Sequence, residues 1–167
     1  MTAARGFVLR RGAALVLLAA LVATGADASP PVELVVATAD GASLHLSDYR
    51  GRWLLVNLWA TWCSSCAAEM PALSRLAGRQ QRLAIVGLTD ERLTPDALRT
   101  FRAAHPVDYP VAVVDGAKLP ADLAPTAFGI GMRPISYLVD PDGTVVERYV
   151  GRVDEDALQR RIVEARP

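Results

Sequence analysis

The chain is poor in the residues that staple or metallate small domains. It has two cysteines and two histidines in 167 residues. Cys63 and Cys66 are three positions apart. A disulfide between them closes almost no chain and so adds little stability by restricting the unfolded state. They are also half a zinc site at best. Zinc needs four ligands, and His45 and His105 come from unrelated segments, so no metal and no other cofactor is called for. Charge of one sign is lacking too. Arg and Lys together number 18, Asp and Glu together 18, net zero. A nucleic-acid surface needs a basic excess to displace counterions, so that class of partner is excluded. The longest apolar stretch near the N-terminus, about Ala13 to Val22, falls short of the roughly 20 residues that span a bilayer. There is no internal repeat, no low-complexity tract and no second domain.

What is present is a hydrophobic majority, 51% of residues, enough for one core in a chain of one domain's length. Residues 1–28 read as an export signal. Arg5, Arg10 and Arg11 precede the apolar stretch, and Ala26-Asp27-Ala28 is a small-x-small cleavage site, with cutting expected after Ala28. An uncleaved membrane anchor is the alternative. No cysteine follows the apolar stretch, so a lipid anchor is not expected. Removing residues 1–28 takes away three arginines and one aspartate, which leaves 15 basic and 17 acidic residues, net −2. The expected location is outside the cytoplasm, in a periplasmic or equivalent space where disulfide chemistry operates.

Residues 29–167 form the expected single domain. Val32 to Ala37 and Ser43 to Leu46 read as short strands around the Asp40-Gly41 turn. Trp53 to Trp59 is a nearly continuous apolar run, the mark of a central strand covered on both faces. A helix follows, with Cys66, Met70, Leu73 and Ala77 on one face and a kink expected at Pro71. Leu83 to Leu88 is a second buried strand. Thr94 and Pro95 open another helix as N-cap and first helical residue, with Leu98 and Phe101 inward, and it ends at His105-Pro106. Tyr109 to Val114 reads as a strand, and Ala121 to Phe128 as a short helix. Ile135 to Val139 and Thr144 to Val150 pair across Pro141-Asp142-Gly143. Asp154 caps a last helix carrying Leu158, Ile162 and Val163. The fold class is α/β: a central mixed sheet flanked by helices, with an extra N-terminal β-hairpin.

The chemistry concentrates at Cys63-Ser64-Ser65-Cys66, which leaves a buried strand and opens a helix. Unpaired N–H groups and the dipole at a helix start favour an anion, so the Cys63 thiol should ionise more readily than a free one. Cys63 is then the attacking sulfur, and Cys66, one turn further in, resolves the mixed disulfide.

Trp59-Ala60-Thr61-Trp62-Cys63-Ser64-Ser65-Cys66 resembles the W-A-x-W-C-x-x-C of the thioredoxin superfamily, and within it the exported TlpA/ResA-type thiol–disulfide oxidoreductases. Pro71 matches that family's helix-kinking proline, Met132-Arg133-Pro134-Ile135 its cis-proline loop, and Gly151 a glycine after the last strand. The resemblance covers about residues 32–165. It implies a thioredoxin fold and protein-disulfide reductase activity. It also implies protein thiol or disulfide substrates such as apocytochrome c, and a membrane electron donor. A monomer is expected. Asn57 stands where cytosolic thioredoxins have a buried Asp, and Asn is common there in TlpA/ResA-type proteins. Glu69 matches a family Glu near the cysteines. Its role would be proton acceptor or tuner of the thiols, with an ordinary helix-surface Glu as the alternative. Trp62, Arg133 and Pro134 are the expected substrate-binding residues. Trp62 could equally serve packing, and Arg133 could equally be a solvated loop residue.

Two positions depart from the family. Ser65 replaces the usual proline before the second cysteine, restoring a backbone donor near Cys63 and adding a hydroxyl. Both should favour the dithiol and make the couple more oxidising. Ile135 stands where the cytochrome c maturation branch often has Glu. Two other functions fit less well. A peroxidase of the same fold needs T-x-x-C, and Thr61-Trp62-Cys63 has the wrong spacing. Thiolate copper carriers use C-x-x-x-C with a distant His.

Overall fold

The computed structural model describes residues 30–38, 40–125 and 131–164. The signal segment and its cleavage site lie outside the described residues. Seven strands and three helices follow in order: β1 (Val35–Ala37), β2 (Ser43–His45), β3 (Trp53–Leu58), α1 (Ser64–Arg79), β4 (Leu83–Thr89), α2 (Pro95–Ala104), β5 (Val111–Val113), β6 (Ile135–Val139), β7 (Val145–Val150) and α3 (Glu155–Glu164).

The main sheet has the order β5-β4-β3-β6-β7. β3 runs parallel to β4, and β4 to β5, with α1 and α2 as the crossovers. β6 pairs antiparallel with β3, and β7 with β6. β1 and β2 form the separate hairpin, which reaches the edge strand β5 through a bridge between Thr38 and Ala112. This is the mixed-sheet thioredoxin architecture with an added N-terminal hairpin.

Alternation along the strands sorts the core into two layers, because successive strand side chains point to opposite faces. Trp53 and Leu55 of β3 and Leu83 and Ile85 of β4 pack with Met70, Leu73 and Leu76 of α1, Leu98 of α2, and Leu158 and Ile162 of α3. Leu54, Val56, Leu58, Val86 and Leu88 face the other way, against Val36, Leu44 and Leu46 of the hairpin region and Leu119 and Leu123. All six residues of β3 are buried. The sheet therefore has a helical face and a face covered by the hairpin and loop segments. Each fully buried Leu contributes about 1.5–3 kcal/mol by leaving water.

Local chemistry sets the boundaries. Thr94 Oγ1 accepts from Ala97 N at 3.2 Å, with Pro95 opening α2. Asp154 Oδ1 accepts from Ala157 N at 3.0 Å. Asp140 Oδ1 accepts from Asp142 N and Thr144 N in the β6–β7 turn, where Gly143 takes a positive φ.

Two expectations need correction. The strand expected from Val32 is regular only from Val35, because Val32 N donates to Gly143 O instead of into the hairpin. The helix expected over 121–128 is, in its described part, one 3-10 turn at Ala121–Leu123. Pro125, which has no N–H, follows after Ala124, and residues 126–128 lie outside the described residues. Val163 lies on α3 as expected, 54% exposed and away from the helix's inward face. One residue step turns a helix by about 100°, which carries Val163 off the Leu158–Ile162 line.

Candidate active site

The site forms where β3 ends and α1 begins. Cys63 is the N-cap of α1, with an extended backbone and its sulfur accepting from Cys66 N at 3.1 Å. A helix start leaves its first N–H groups without intrahelical partners, and here a sulfur takes one of them. Cys63 and Cys66 are joined as a disulfide. Cys63 is 5% and Cys66 1% exposed, so Cys63 is the less buried of the two residues. Ser65 Oγ lies 3.4 Å from Cys63 Sγ. The donor supplied by Ser65 is thus its hydroxyl; the backbone N–H that reaches the sulfur belongs to Cys66. α1 runs unbroken across Pro71.

Trp62 stands out from this surface, 63% exposed beside the disulfide. Cys63 N donates to Ala60 O at 3.2 Å, closing a turn that carries Thr61 and Trp62 outward. The loop before β6 borders this turn, because Leu58 and Ile135 are register partners where β3 ends and β6 begins. The Arg133–Pro134 peptide is cis. Gly151, at a positive φ that a residue with a Cβ rarely adopts, donates its N–H to Pro134 O at 2.9 Å. Met132, two residues before Pro134, is 47% exposed. The Arg133 side chain is not a solvated loop residue: it is only 5% exposed and ion-paired with Asp90.

Glu69 is buried, 3% exposed, one turn beyond Cys66. That removes the helix-surface alternative. Its Oε1 accepts from Asn57 Nδ2 at 2.9 Å, and its Oε2 from Val153 N at 3.0 Å. Asn57 Nδ2 also donates to Ser136 Oγ at 2.9 Å. Burial pushes the Glu69 carboxyl above its ordinary value; the two hydrogen bonds and the Arg152 charge oppose that rise. The Glu69 charge and burial together push the Tyr109 hydroxyl up, burial being the larger cause. A buried carboxyl whose proton affinity its surroundings raise is suited to take or release a proton one turn from Cys66.

Sequence reasoning missed Ser136 and the Val153 N–H as the partners that hold Asn57 and Glu69. It also missed Asp90 and Glu91 in the loop after β4. The available signal was their place just past the carboxyl end of a buried parallel strand, where α/β sites form. Among the described residues no group of three or more His, Cys, Asp or Glu side chains is placed to hold a metal ion.

Comparison with known proteins agrees with this geometry. The AhpC/TSA family matches residues 26–150. The chain belongs to the AhpC/TSA family. It is 30% identical over 135 residues to thiol-disulfide oxidoreductase ResA of Bacillus thuringiensis (strain Al Hakam), covering 80% of this chain and 75% of that protein. It is 27% identical over 128 residues to the thioredoxin-like protein YneN of Bacillus subtilis (strain 168), covering 75% of this chain and 72% of that one. A crystal structure of a putative thiol:disulfide interchange protein DsbE from Chlorobium tepidum superposes with a TM-score of 0.67 at 25% identity. It covers 83% of this chain and 97% of that one. Within this family the chain is a thiol–disulfide oxidoreductase with a thioredoxin fold, and Cys63-x-x-Cys66 is its redox motif. No helix among the described residues is long and apolar enough to cross a membrane.

Proposed function

We propose that the protein is an exported, monomeric reductase that passes electrons to the disulfides of other exported proteins, apocytochrome c among them. The observation that carries the reading is the placement of Cys63. Its sulfur caps α1, accepts the Cys66 N–H and lies beside an exposed Trp62, whereas Cys66 is sealed behind it. Cys63 as thiolate attacks one sulfur of a substrate disulfide and the other sulfur leaves as a thiolate. Cys66 then attacks Cys63, which releases the second substrate sulfur as a thiol and closes the Cys63–Cys66 disulfide. Two electrons pass to the substrate, and a membrane donor restores the dithiol. Glu69 serves as the proton relay for Cys66, its carboxyl oriented by Asn57 and Val153. Trp62 and the Arg133–Pro134 loop receive the substrate chain.

Export is supported by the basic, apolar and small-x-small order of residues 1–28. The likeness to ResA and to the DsbE-type structure supports thiol–disulfide exchange; the reducing direction is what the resemblance to exported TlpA/ResA-type proteins implies. The test is the reduction potential of the Cys63–Cys66 couple, equilibrated against glutathione. A value below the extracytoplasmic thiol pool fits a reductase. A value above about −150 mV, toward that of strong oxidants, would make the protein a donor of disulfides instead. A fusion of residues 1–28 to alkaline phosphatase, active only where disulfides form, tests export.

A further inference from the structure

The loop leaving β4 carries two adjacent carboxylates, and each holds a different wall of the site. Asp90 receives Arg133 Nη2 on both oxygens, at 2.8 and 2.9 Å. Arg133 Nη1 donates back to Met132 O at 2.7 Å, so the guanidinium ties the turn before Pro134 to the end of β4. Glu91 accepts from Thr61 N at 2.5 Å through Oε2 and from Thr61 Oγ1 at 2.9 Å through Oε1. Thr61 sits in the turn that presents Trp62 and Cys63. Glu91 is itself steadied, because its N–H donates to Thr89 Oγ1 at 3.3 Å.

We infer that Asp90 and Glu91 form a brace that sets the gap between the Trp62–Cys63 turn and the Met132–Pro134 turn, and so fix the fit of an extended protein segment at the disulfide. They are positioning residues, not catalytic ones. This goes beyond the redox reading of the site and rests on it. The walls carry exposed apolar side chains, Trp62 and Met132, and the Arg133 charge between them is paired with Asp90. The gap therefore suits an extended segment with an apolar residue beside its cysteine. A small disulfide touches neither wall and needs no such gap.

The test uses prereduced protein and measures its second-order rate with two oxidants. One is a disulfide-linked peptide pair with leucine beside the cysteine; the other is hydroxyethyl disulfide. Glu91→Ala and Asp90→Ala should each slow the peptide reaction roughly tenfold, the size of one lost charge-assisted hydrogen bond, and leave hydroxyethyl disulfide within twofold. Glu91→Gln should react close to wild type, because its amide oxygen accepts from Thr61 N and its NH2 donates to Thr61 Oγ1. Asp90→Ala combined with Arg133→Ala should be no slower than the slower single variant, since both remove one link. Equal slowing with both oxidants would place the effect on Cys63 chemistry and overturn the brace. Unchanged peptide rates in both alanine variants would overturn it as well, and so would Glu91→Gln as slow as Glu91→Ala. Failure of wild type to reduce either disulfide would instead contradict the redox reading beneath it.

Discussion

Glu69→Gln probes the buried link between the redox helix and the sheet. A carboxylate offers two acceptors, and two donors use them, Asn57 Nδ2 at 2.9 Å and Val153 N at 3.0 Å. An amide offers one. If its oxygen keeps Val153, its NH2 faces the Asn57 NH2, donor against donor. Leaving a buried donor unmatched costs about 1–3 kcal/mol. Turning the Asn57 amide relieves that clash but swings Nδ2 away from Ser136 Oγ, where it now donates at 2.9 Å. Against this cost stands the removal of a buried charge. Burial raises the Glu69 carboxyl above its ordinary value of 4.5. Between 4.5 and that raised value the folded chain holds a proton that the unfolded chain has lost, so wild-type stability falls as pH rises through the interval. The variant cannot titrate there. The excess stability of wild type over Glu69→Gln should therefore be largest near about pH 4 and smallest near about pH 8. Urea unfolding of both proteins in the disulfide form at the two pH values measures it. The variant should also shift the pH profile of dithiol oxidation, because the nearest buried acid is gone. A destabilisation equal at both pH values, with an unmoved pH profile, would refute the burial argument and the relay role together.

Two further outcomes follow from the site's geometry. Ser65→Ala removes the hydroxyl at 3.4 Å from Cys63 Sγ. A hydrogen bond to a charged group exceeds a neutral one by about 1 kcal/mol, so the couple should become more reducing by about 20 mV and the Cys63 thiol should ionise less readily. Ser65→Pro should match Ser65→Ala, because the N–H on the sulfur is that of Cys66; a glutathione titration of the three proteins decides, and an unchanged or higher potential in Ser65→Ala would contradict it. Gly151→Ala should cost about 1–2 kcal/mol in urea unfolding through its positive φ, with no added side-chain clash within 4 Å. A neutral result would show that the turn holding Pro134 O adapts freely.

Much of this architecture was legible in the chain because its signals are local. The Trp53–Trp59 run, the Thr94-Pro95 and Asp154 caps and the Pro141-Asp142-Gly143 turn each carry their reason within a few residues. The helix start at Cys63 followed from its place after the run. What escaped depends on contacts across the chain. Glu69 has the same spacing from Cys66 whether it faces water or core; only the approach of Asn57 and Val153 shows that it is buried. Arg133 meets Asp90 across 43 positions, so its burial left no trace in the loop sequence. Ser65 is expected to donate through both its backbone and its hydroxyl; spacing gives the residue and not which of the two faces the sulfur. The helix expected over 121–128 contains Pro125, which removes a helical N–H donor from its middle.

The central claim is that Cys63 attacks and Cys66 resolves. The most direct measurement is trapping by Cys66→Ser, with Cys63→Ser alongside, each prereduced, exposed to a disulfide-containing substrate protein and read by intact mass. Cys66→Ser should accumulate a stable mixed disulfide on Cys63, because the attacking sulfur remains and the resolving one is gone. Cys63→Ser should accumulate none and turn nothing over, since Cys66 is sealed at 1% exposure. Adducts on Cys66 in Cys63→Ser, with none on Cys63 in Cys66→Ser, would reverse the two roles and contradict the account.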